Sequence, residues 1–478
     1  MKALIIAAGR GSSFRGKAPR SHKTLIPVSG LTVIERIVAA CPQVDELVIV
    51  TGYQAEKLES ELRKILNGKL EFTFIHNPDW ERSNGISVLA AREALCKEDA
   101  FLLTMSDHVY EPALVELLTA GPPKPGEALL AVDRNLDDCF DLAEATKVRI
   151  SSDGRIEKIG KALNDFNAVD TGVFYCTPAI FDALAESASG GGESLSDGVR
   201  VLCSKGAMGY RDVTGCMWQD VDETGSLAEA NKRLWHLVEK PRDGVVSRLV
   251  NRKISGFITR RICSWGVRPN HVTLFNLFLS ALAACLMAAG HLLAGGIAAQ
   301  LYSIVDGVDG ELARLKHQGS WFGGWLDNLT DRLCDWMLIC GAAWSTTSLG
   351  AEAQTAWILM SAALISNIWY WTAMDSLLVS GVLRSNKTPR GRLAAVEKWF
   401  YERGMVFGIT HDSYILILAA GVALGQPLAT LSLLIVLEIL WWAVKLIQAQ
   451  NTQPSEQYAK FMAHESTQAT QAAELAAN

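Results

Sequence analysis

Residues 305–333 read "VDGVDGELARLKHQGSWFGGWLDNLTDRL" and set four aspartates, Asp306, Asp309, Asp327 and Asp331, between two of the most apolar parts of the chain. In helical geometry Asp306 and Asp309 are three apart and Asp327 and Asp331 four apart, so each pair falls on one face of its own helix. The connection "LKHQGSWFGG" is short enough to set the two helix ends side by side, where four carboxylates converge. Left alone, such a cluster repels itself and loses much of its hydration. Two divalent cations would cancel its formal charge, and an all-oxygen donor set suits Mg²⁺ or Mn²⁺.

Working outward, the chain has 478 residues, 49% of them hydrophobic, which is long for one ordinary core and apolar for a soluble protein. Charge and hydrophobe are mixed through residues 1–240, whereas 271–448 holds long apolar runs. At about 20 residues per crossing, six spans are expected, near 271–290, 293–314, 324–345, 356–376, 404–424 and 428–447. The connections near 291, 346–355 and 425–427 lack Lys and Arg, while the segment before the first span and the loop from Leu383 to Arg403 ("RSNKTPRGR", "EKWFYER") are rich in them. That asymmetry predicts a multi-pass protein of the cell membrane with both termini in the cytoplasm. Residues 239–270 place Arg and Lys among Val, Leu, Ile, Phe and Trp, the pattern of a basic amphipathic helix in the headgroup region; a solvated linker helix is the competing reading. Residues 449–478 form a polar, flexible tail with no assigned role.

The first part alternates short β-branched runs ("ALIIAAG", "ELVIVTGY", "EFTFIHN", "AFLLTMSDH") with helical periods ("TVIERIVAACP", "ISVLAAREALC"). This predicts an α/β domain over 1–238, Rossmann-like, with a mostly parallel sheet, ahead of an all-α six-helix transmembrane domain over 271–448. Ligands of such sheets bind at the carboxyl ends of strands. The opening apolar run, about six residues before a Gly/Ser/Arg loop, reads as a buried strand rather than a signal peptide. A net charge of −6 and the absence of Lys/Arg blocks interleaved with aromatics speak against nucleic acid as a partner. The ten cysteines form no CxxC pair, which predicts reduced thiols and no zinc site.

The run Asp306, Asp309, Gly310, Ala313, Arg314, Gly323, Asp327, Asp331 reproduces D-x-x-D-G-x-x-A-R-x8-G-x3-D-x3-D and resembles the CDP-alcohol phosphotransferase family at every position. The resemblance implies a bimetal site held by Asp306, Asp309 and Asp327, and Asp331 as a further metal neighbour and general base on the acceptor hydroxyl. Gly310, Ala313, Arg314 and Gly323 would shape the site for a CDP moiety. Members of that family are commonly dimeric, which implies a homodimer through the helical domain.

"AAGRGSSFRGKAPRSHKTL" (7–25) follows the first strand, where a Gly-rich loop lets backbone N–H groups approach phosphates, and it resembles the signature loop of sugar-phosphate nucleotidyltransferases. Gly9 and Gly11 then belong to the nucleotide loop, Arg15 and Lys23 to the basic pair that stabilises a triphosphate under attack. By the same resemblance Asp107 in "MSDHVY" and Asp220 in "WQDVD" hold Mg²⁺, with Asp222 as helper. The spelling "SHK" departs from the family's usual "PK". Taken alone, an Asp at a strand end reads first as a cap or turn residue.

"AEATKVRI", "KIGKALNDFNAVDTGVF", "NRKIS" and "RPNHVTL", with the order of the two domains, are similar to the bifunctional inositol-1-phosphate cytidylyltransferase and di-myo-inositol-phosphate phosphate synthase family from Met1 to about Ile447. That likeness implies CTP and inositol 1-phosphate as substrates, CDP-inositol as intermediate, and a sugar-phosphate pocket containing Glu144, Lys147, Lys161 and Asp170, each equally readable as a surface or structural residue. One departure is "GITHDSYIL", where His411 and Tyr414 stand in place of the arginines that the family sets near an acceptor phosphate; Arg384, Lys387, Arg390 and Arg392 offer a basic supply, although that loop reads first as a cytoplasmic loop obeying the positive-inside rule. The alternative keeps both reaction types with phosphocholine or aminoethylphosphonate and a lipid acceptor. A cationic head group would call for an aromatic cage, to which Trp80 and Tyr53 are the candidates.

Overall fold

Aliphatic runs too short for helices and bounded by turns fold as the centre of the first unit, Met1–Leu237, of two into which the chain divides. The computed structural model describes residues 1–10, 22–240, 243–379, 394–403, 405–406 and 408–450. Gly11, Arg15, Arg384, Lys387, Arg390, Arg392 and the tail beyond 450 lie outside the described residues.

In the first unit β1 (Lys2–Ala7), β2 (Glu46–Thr51), β3 (Glu71–His76) and β4 (Phe101–Met105) are parallel, in the order β3-β2-β1-β4. Ala3 to Ala7 are buried throughout, which is why β1 shows no alternation: both of its faces are covered. β3, at the edge, alternates exposed and half-buried positions instead. The next strands are β5 (His108–Tyr110), β6 (Ala128–Asp133), β7 (Lys147–Ile150), β8 (Ile156–Gly160), β9 (Ala168–Cys176), β10 (Met208–Asp212) and β11 (Trp218–Asp220). The long β9 runs antiparallel to β4, β6 and β7 and completes a nine-stranded sheet. Its register against β6 slips between Asp170 and Phe174, and within that bulge Gly172 takes φ +75°, a conformation that side chains with a Cβ avoid. β11 and β5 form a separate small ladder. A capping box of Thr32 and Glu35 starts the helix Val33–Ala40. From it the buried Arg36 donates to the carbonyls of Val28 and Ser29, at 2.8 and 2.9 Å, and so pins the hairpin that follows Lys23.

The second unit, Val238–Asn478, is helical. A π-helical turn (Ser247–Asn251) runs into α1 (Arg252–Ile262), followed by α2 (Pro269–Ala288), α3 (Leu292–Leu315), α4 (Trp321–Ser348), α5 (Ala353–Val379), α6 (Ala394–Glu402), α7 (His411–Ala423) and α8 (Pro427–Gln450). Among the described residues, Pro269–Ala288 and Pro427–Ile447 are the two helices long and apolar enough to cross a membrane, with mean hydropathies of 1.8 and 2.0. α3 and α4 carry carboxylates and arginines in their cytoplasm-predicted halves, and α7, with 13 residues, spans only about 20 Å at 1.5 Å per residue. Small residues bring the helices together: at Gly341 of α4 a Cβ would stand 2.5 Å from the Ala284 carbonyl of α2. The core joins Ala283, Met287, Tyr302, Leu338, Ile415 and Leu434 from five helices.

Candidate active sites

In the first unit Lys23 lies in a short 3-10 turn (Lys23–Leu25) capped by His22, whose Nδ1 is 2.9 Å from Thr24 Oγ1. The departure to "SHK" therefore supplies a cap for the turn that carries the lysine. The Lys23 ammonium is paired with Asp222 and lies 3.7 Å from Asp107 Oδ2. Asp107 follows β4, and the β5–β11 ladder pairs His108 with Asp220, so both aspartates reach one end of the sheet. His108 Nδ1 is 2.8 Å from Asp107 Oδ1.

The electrostatics follow from these contacts. Burial works against the ionised Asp107, but His108 and Lys23 outweigh it and hold the carboxyl far below the ordinary range. Burial alone would lower His108; Asp107, with Asp220 and Asp222, instead pushes it up to about 9. Asp220 is raised, mainly by burial. Asp170 accepts the Gly172 N–H at 2.7 Å, and burial pushes its carboxyl up to about 6.

A cavity of about 260 Å³ is lined by Asp107, Asp220 and Asp222 together with Glu144, Lys161 and Asp170. Lys147 does not line it; its Nζ donates to the carbonyls of Ala143 and Lys161 at 3.0 and 2.8 Å and ties the adjoining loop together. Gly9 is exposed just after β1, and an added Cβ there would meet nothing within 4 Å. Trp80 and Tyr53 pack on each other, centroids 5.3 Å apart, and neither lines the cavity. Two neighbours escaped sequence reading: His108, although it adjoins Asp107, and Gly172, where a Cβ would meet His108 Nε2 at 2.4 Å.

In the second unit Asp306 on α3 and Asp327 and Asp331 on α4 bring carboxylate oxygens within 4.8 Å of one another. Asp309 turns toward Thr273 Oγ1, 2.7 Å away, and accepts the Gly310 N–H. Asn276 Nδ2 donates to Asp306 at 3.2 Å. The donor set is all oxygen and stands on two packed helices, which fits a hard divalent cation. Gly310 and Gly323 leave room: a Cβ would stand 3.2 Å from Arg314 Nη1 at the former and 3.0 Å from Ser320 Oγ at the latter. Arg314 Nε donates to the Val238 carbonyl at 2.8 Å, and Ala313 is half-buried beside it.

Asp306 and Asp331 also border a cavity of about 350 Å³ with Arg252, Arg332, Trp371 and His411. His411 Nε2 lies 2.8 Å from Asp335, which is 1% exposed. Arg332 stacks over Trp371 at 4.0 Å and pairs with Asp375 at 3.2 Å. Tyr414 belongs to the core rather than to the cavity. Lys240, which also lines this cavity, and Arg332 are not legible in the sequence as site neighbours, since Lys and Arg beside apolar helices also satisfy the rule for cytoplasmic loops; the sequence singles out His411 but not its partner Asp335.

Comparison with known proteins finds two families in the chain. Residues 3–192 match the MobA-like NTP transferase domain, and residues 267–444 match the CDP-alcohol phosphatidyltransferase family. The "Bifunctional IPC transferase and DIPP synthase" of Rubrobacter xylanophilus is 35% identical over 433 residues, 90% of this chain and 92% of that protein. Its namesake from Thermococcus kodakarensis is 32% identical over 82% of each chain. A solved inositol-1-phosphate CTP transferase from T. maritima matches at TM-score 0.44 and 21% identity, covering 48% of this chain and 95% of that one. The chain is an enzyme with a nucleotidyltransferase domain and a CDP-alcohol phosphotransferase domain, and it belongs to the family of bifunctional IPC transferases and DIPP synthases.

Proposed function

We propose that the chain catalyses two consecutive transfers: CTP and inositol 1-phosphate give CDP-inositol and diphosphate, and CDP-inositol with a second inositol 1-phosphate gives phospho-di-inositol 1-phosphate and CMP. The likeness to the Rubrobacter protein through both units, in the same order and over 90% of the chain, carries this reading. Fusion keeps producer and consumer of CDP-inositol at high effective concentration.

In the first reaction Lys23, with Asp222 beside it, and Arg15, by its place in the loop motif, are assigned to the triphosphate, and Asp107 and Asp220 would hold Mg²⁺. Glu144, Lys161 and Asp170 receive the inositol phosphate, and Lys147 holds their loop. In the second, Asp306, Asp309 and Asp327 hold Mg²⁺ or Mn²⁺, which when bound neutralises pyrophosphate charge. Asp331, next to that cluster and open to the cavity, takes the proton of the acceptor hydroxyl. Gly310, Ala313, Arg314 and Gly323 leave space for the CDP moiety. Nothing about Trp80 or Tyr53 favours a cationic head group.

The reading includes a bilayer. Leu274 and Phe278 of α2, Ile358, Ile365 and Trp369 of α5 and Leu440 of α8 are each 54–67% exposed, which suits these helices to lipid. With α3, α4 and α7 they form a multi-pass domain of the cell membrane, the nucleotidyltransferase unit and both termini are cytoplasmic by the charge asymmetry of the loops, and a homodimer forms through the helices. Phosphorus NMR of the detergent-solubilised protein with CTP, Mg²⁺ and inositol 1-phosphate tests the chemistry. A CDP-inositol signal that converts to a phosphodiester and CMP is expected. CDP-inositol that accumulates unless lipid is added would refute the soluble acceptor, and no CDP-inositol at all would refute the first reaction.

A further inference from the structure

The stretch from the π-helical turn through α1 is amphipathic in an inverted sense. Its buried residues are Asn251, Ser255, Thr259 and Cys263, spaced four apart, and the first three find their partners on α3. Asn251 Nδ2 donates to Ser303 Oγ at 3.0 Å. Ser255 Oγ and Thr259 Oγ1 donate to the two carboxylate oxygens of Glu311, at 2.7 and 2.6 Å, and Glu311 is 4% exposed. Arg252 joins them, with Nη1 3.1 Å from Glu311 and 3.2 Å from the Gly307 carbonyl. This latch grips α3 within the segment that carries Asp306 and Asp309.

The opposite face presents Leu249, Val250, Ile254, Phe257 and, beyond the helix, Trp265, 42–61% exposed. Exposed cations are interleaved with them: Arg248, Lys253, Arg260, Arg261 and Arg268. From residue 244 to residue 305 there is no Asp or Glu. Apolar side chains ringed by cations suit a surface that is negative outside and apolar beneath, which is an anionic lipid leaflet. A second copy of the same face would set like charges against one another.

We infer that this face docks on anionic lipid headgroups and that the docking, transmitted through the Glu311 latch, positions the aspartate-bearing helix α3, so that the CMP-releasing transfer depends on lipid charge. The inference rests on the reading of the second unit as a bilayer-embedded transferase.

The test uses the full chain in vesicles of phosphatidylcholine alone or of an equal mixture with phosphatidylglycerol. Backbone hydrogen exchange through 248–262 and CMP release from CDP-inositol plus inositol 1-phosphate are both followed. Slower exchange and several-fold faster release in the mixed vesicles are expected. Lys253→Gln, Arg260→Gln and Arg261→Gln together should erase both differences and leave the rate in neutral vesicles unchanged, since each cation favours the docked state by about fivefold. Thr259→Val should keep the exchange difference and weaken the rate difference. Equal exchange in the two vesicle types would overturn the inference, as would protection that follows protein density instead of lipid charge, which would assign the face to a second copy. A rate difference unaltered by Thr259→Val would overturn the latch. Exchange that responds to lipid charge in protein that transfers nothing in either vesicle would support docking and sink the transferase reading.

Discussion

Gly172→Ala should disable the first half-reaction through a side chain that no motif names. Gly172 holds φ +75° in the β9 bulge, and an alanine there costs about 1–2 kcal/mol in backbone strain alone. Its Cβ would also stand 2.4 Å from His108 Nε2. To restore an ordinary contact of about 3.5 Å, the imidazole must retreat by roughly 1 Å. His108 is hydrogen-bonded to Asp107 at 2.8 Å, so the carboxylate proposed to hold Mg²⁺ loses its partner or moves with it. A misplacement of about 1 Å at a reacting centre costs on the order of a hundredfold in rate. Diphosphate release from CTP and inositol 1-phosphate should therefore fall about a hundredfold, while CMP release from supplied CDP-inositol stays at the parent level. Thermal unfolding shows whether the protein is still folded. In folded protein, diphosphate release within about twofold of the parent would refute the argument that His108 sets Asp107.

Asp331→Asn should abolish CMP release, by about a hundredfold or more for a lost general base, and spare diphosphate release; Lys23→Ala should do the reverse when CDP-inositol is supplied. Loss of both activities from either substitution in folded protein would refute the division of labour. Asp170, raised to about 6, binds its proton more tightly folded than unfolded, so the first unit should lose stability as pH rises from about 4 through about 6. Denaturant melts of the parent and Asp170→Asn should differ by about 2 kcal/mol across that window, and parallel curves would remove the assignment. Ending the chain after residue 240 should leave a folded, soluble cytidylyltransferase, measured by diphosphate release; a folded but inactive fragment would contradict the proposed boundary.

Legibility differed between the two sites for a physical reason. The acidic motif lies within 26 residues of sequence on two helices joined by a short turn, so spacing and helical period nearly determine that Asp306, Asp327 and Asp331 meet. The first site assembles Lys23, Asp107, Asp170 and Asp222, which are scattered over 200 residues. There the loop and strand-end aspartates pointed to a reaction type only through likeness to known enzymes.

By itself the sequence determined the four parallel strands, the helical second unit and the carboxylate cluster, because hydrophobic period and motif spacing are local properties. Tertiary structure alone decided the rest. It chose the antiparallel β9 with its bulge, in which Gly172 makes room for His108, and it bound His411 to Asp335 across 76 residues. It also turned the polar side of α1 inward onto Glu311 and left the apolar side outside. A hydrophobic pattern shows that a helix has two faces. Which face is buried depends on what the neighbouring element offers, and here that element offers a carboxylate, whose burial requires hydrogen-bond donors.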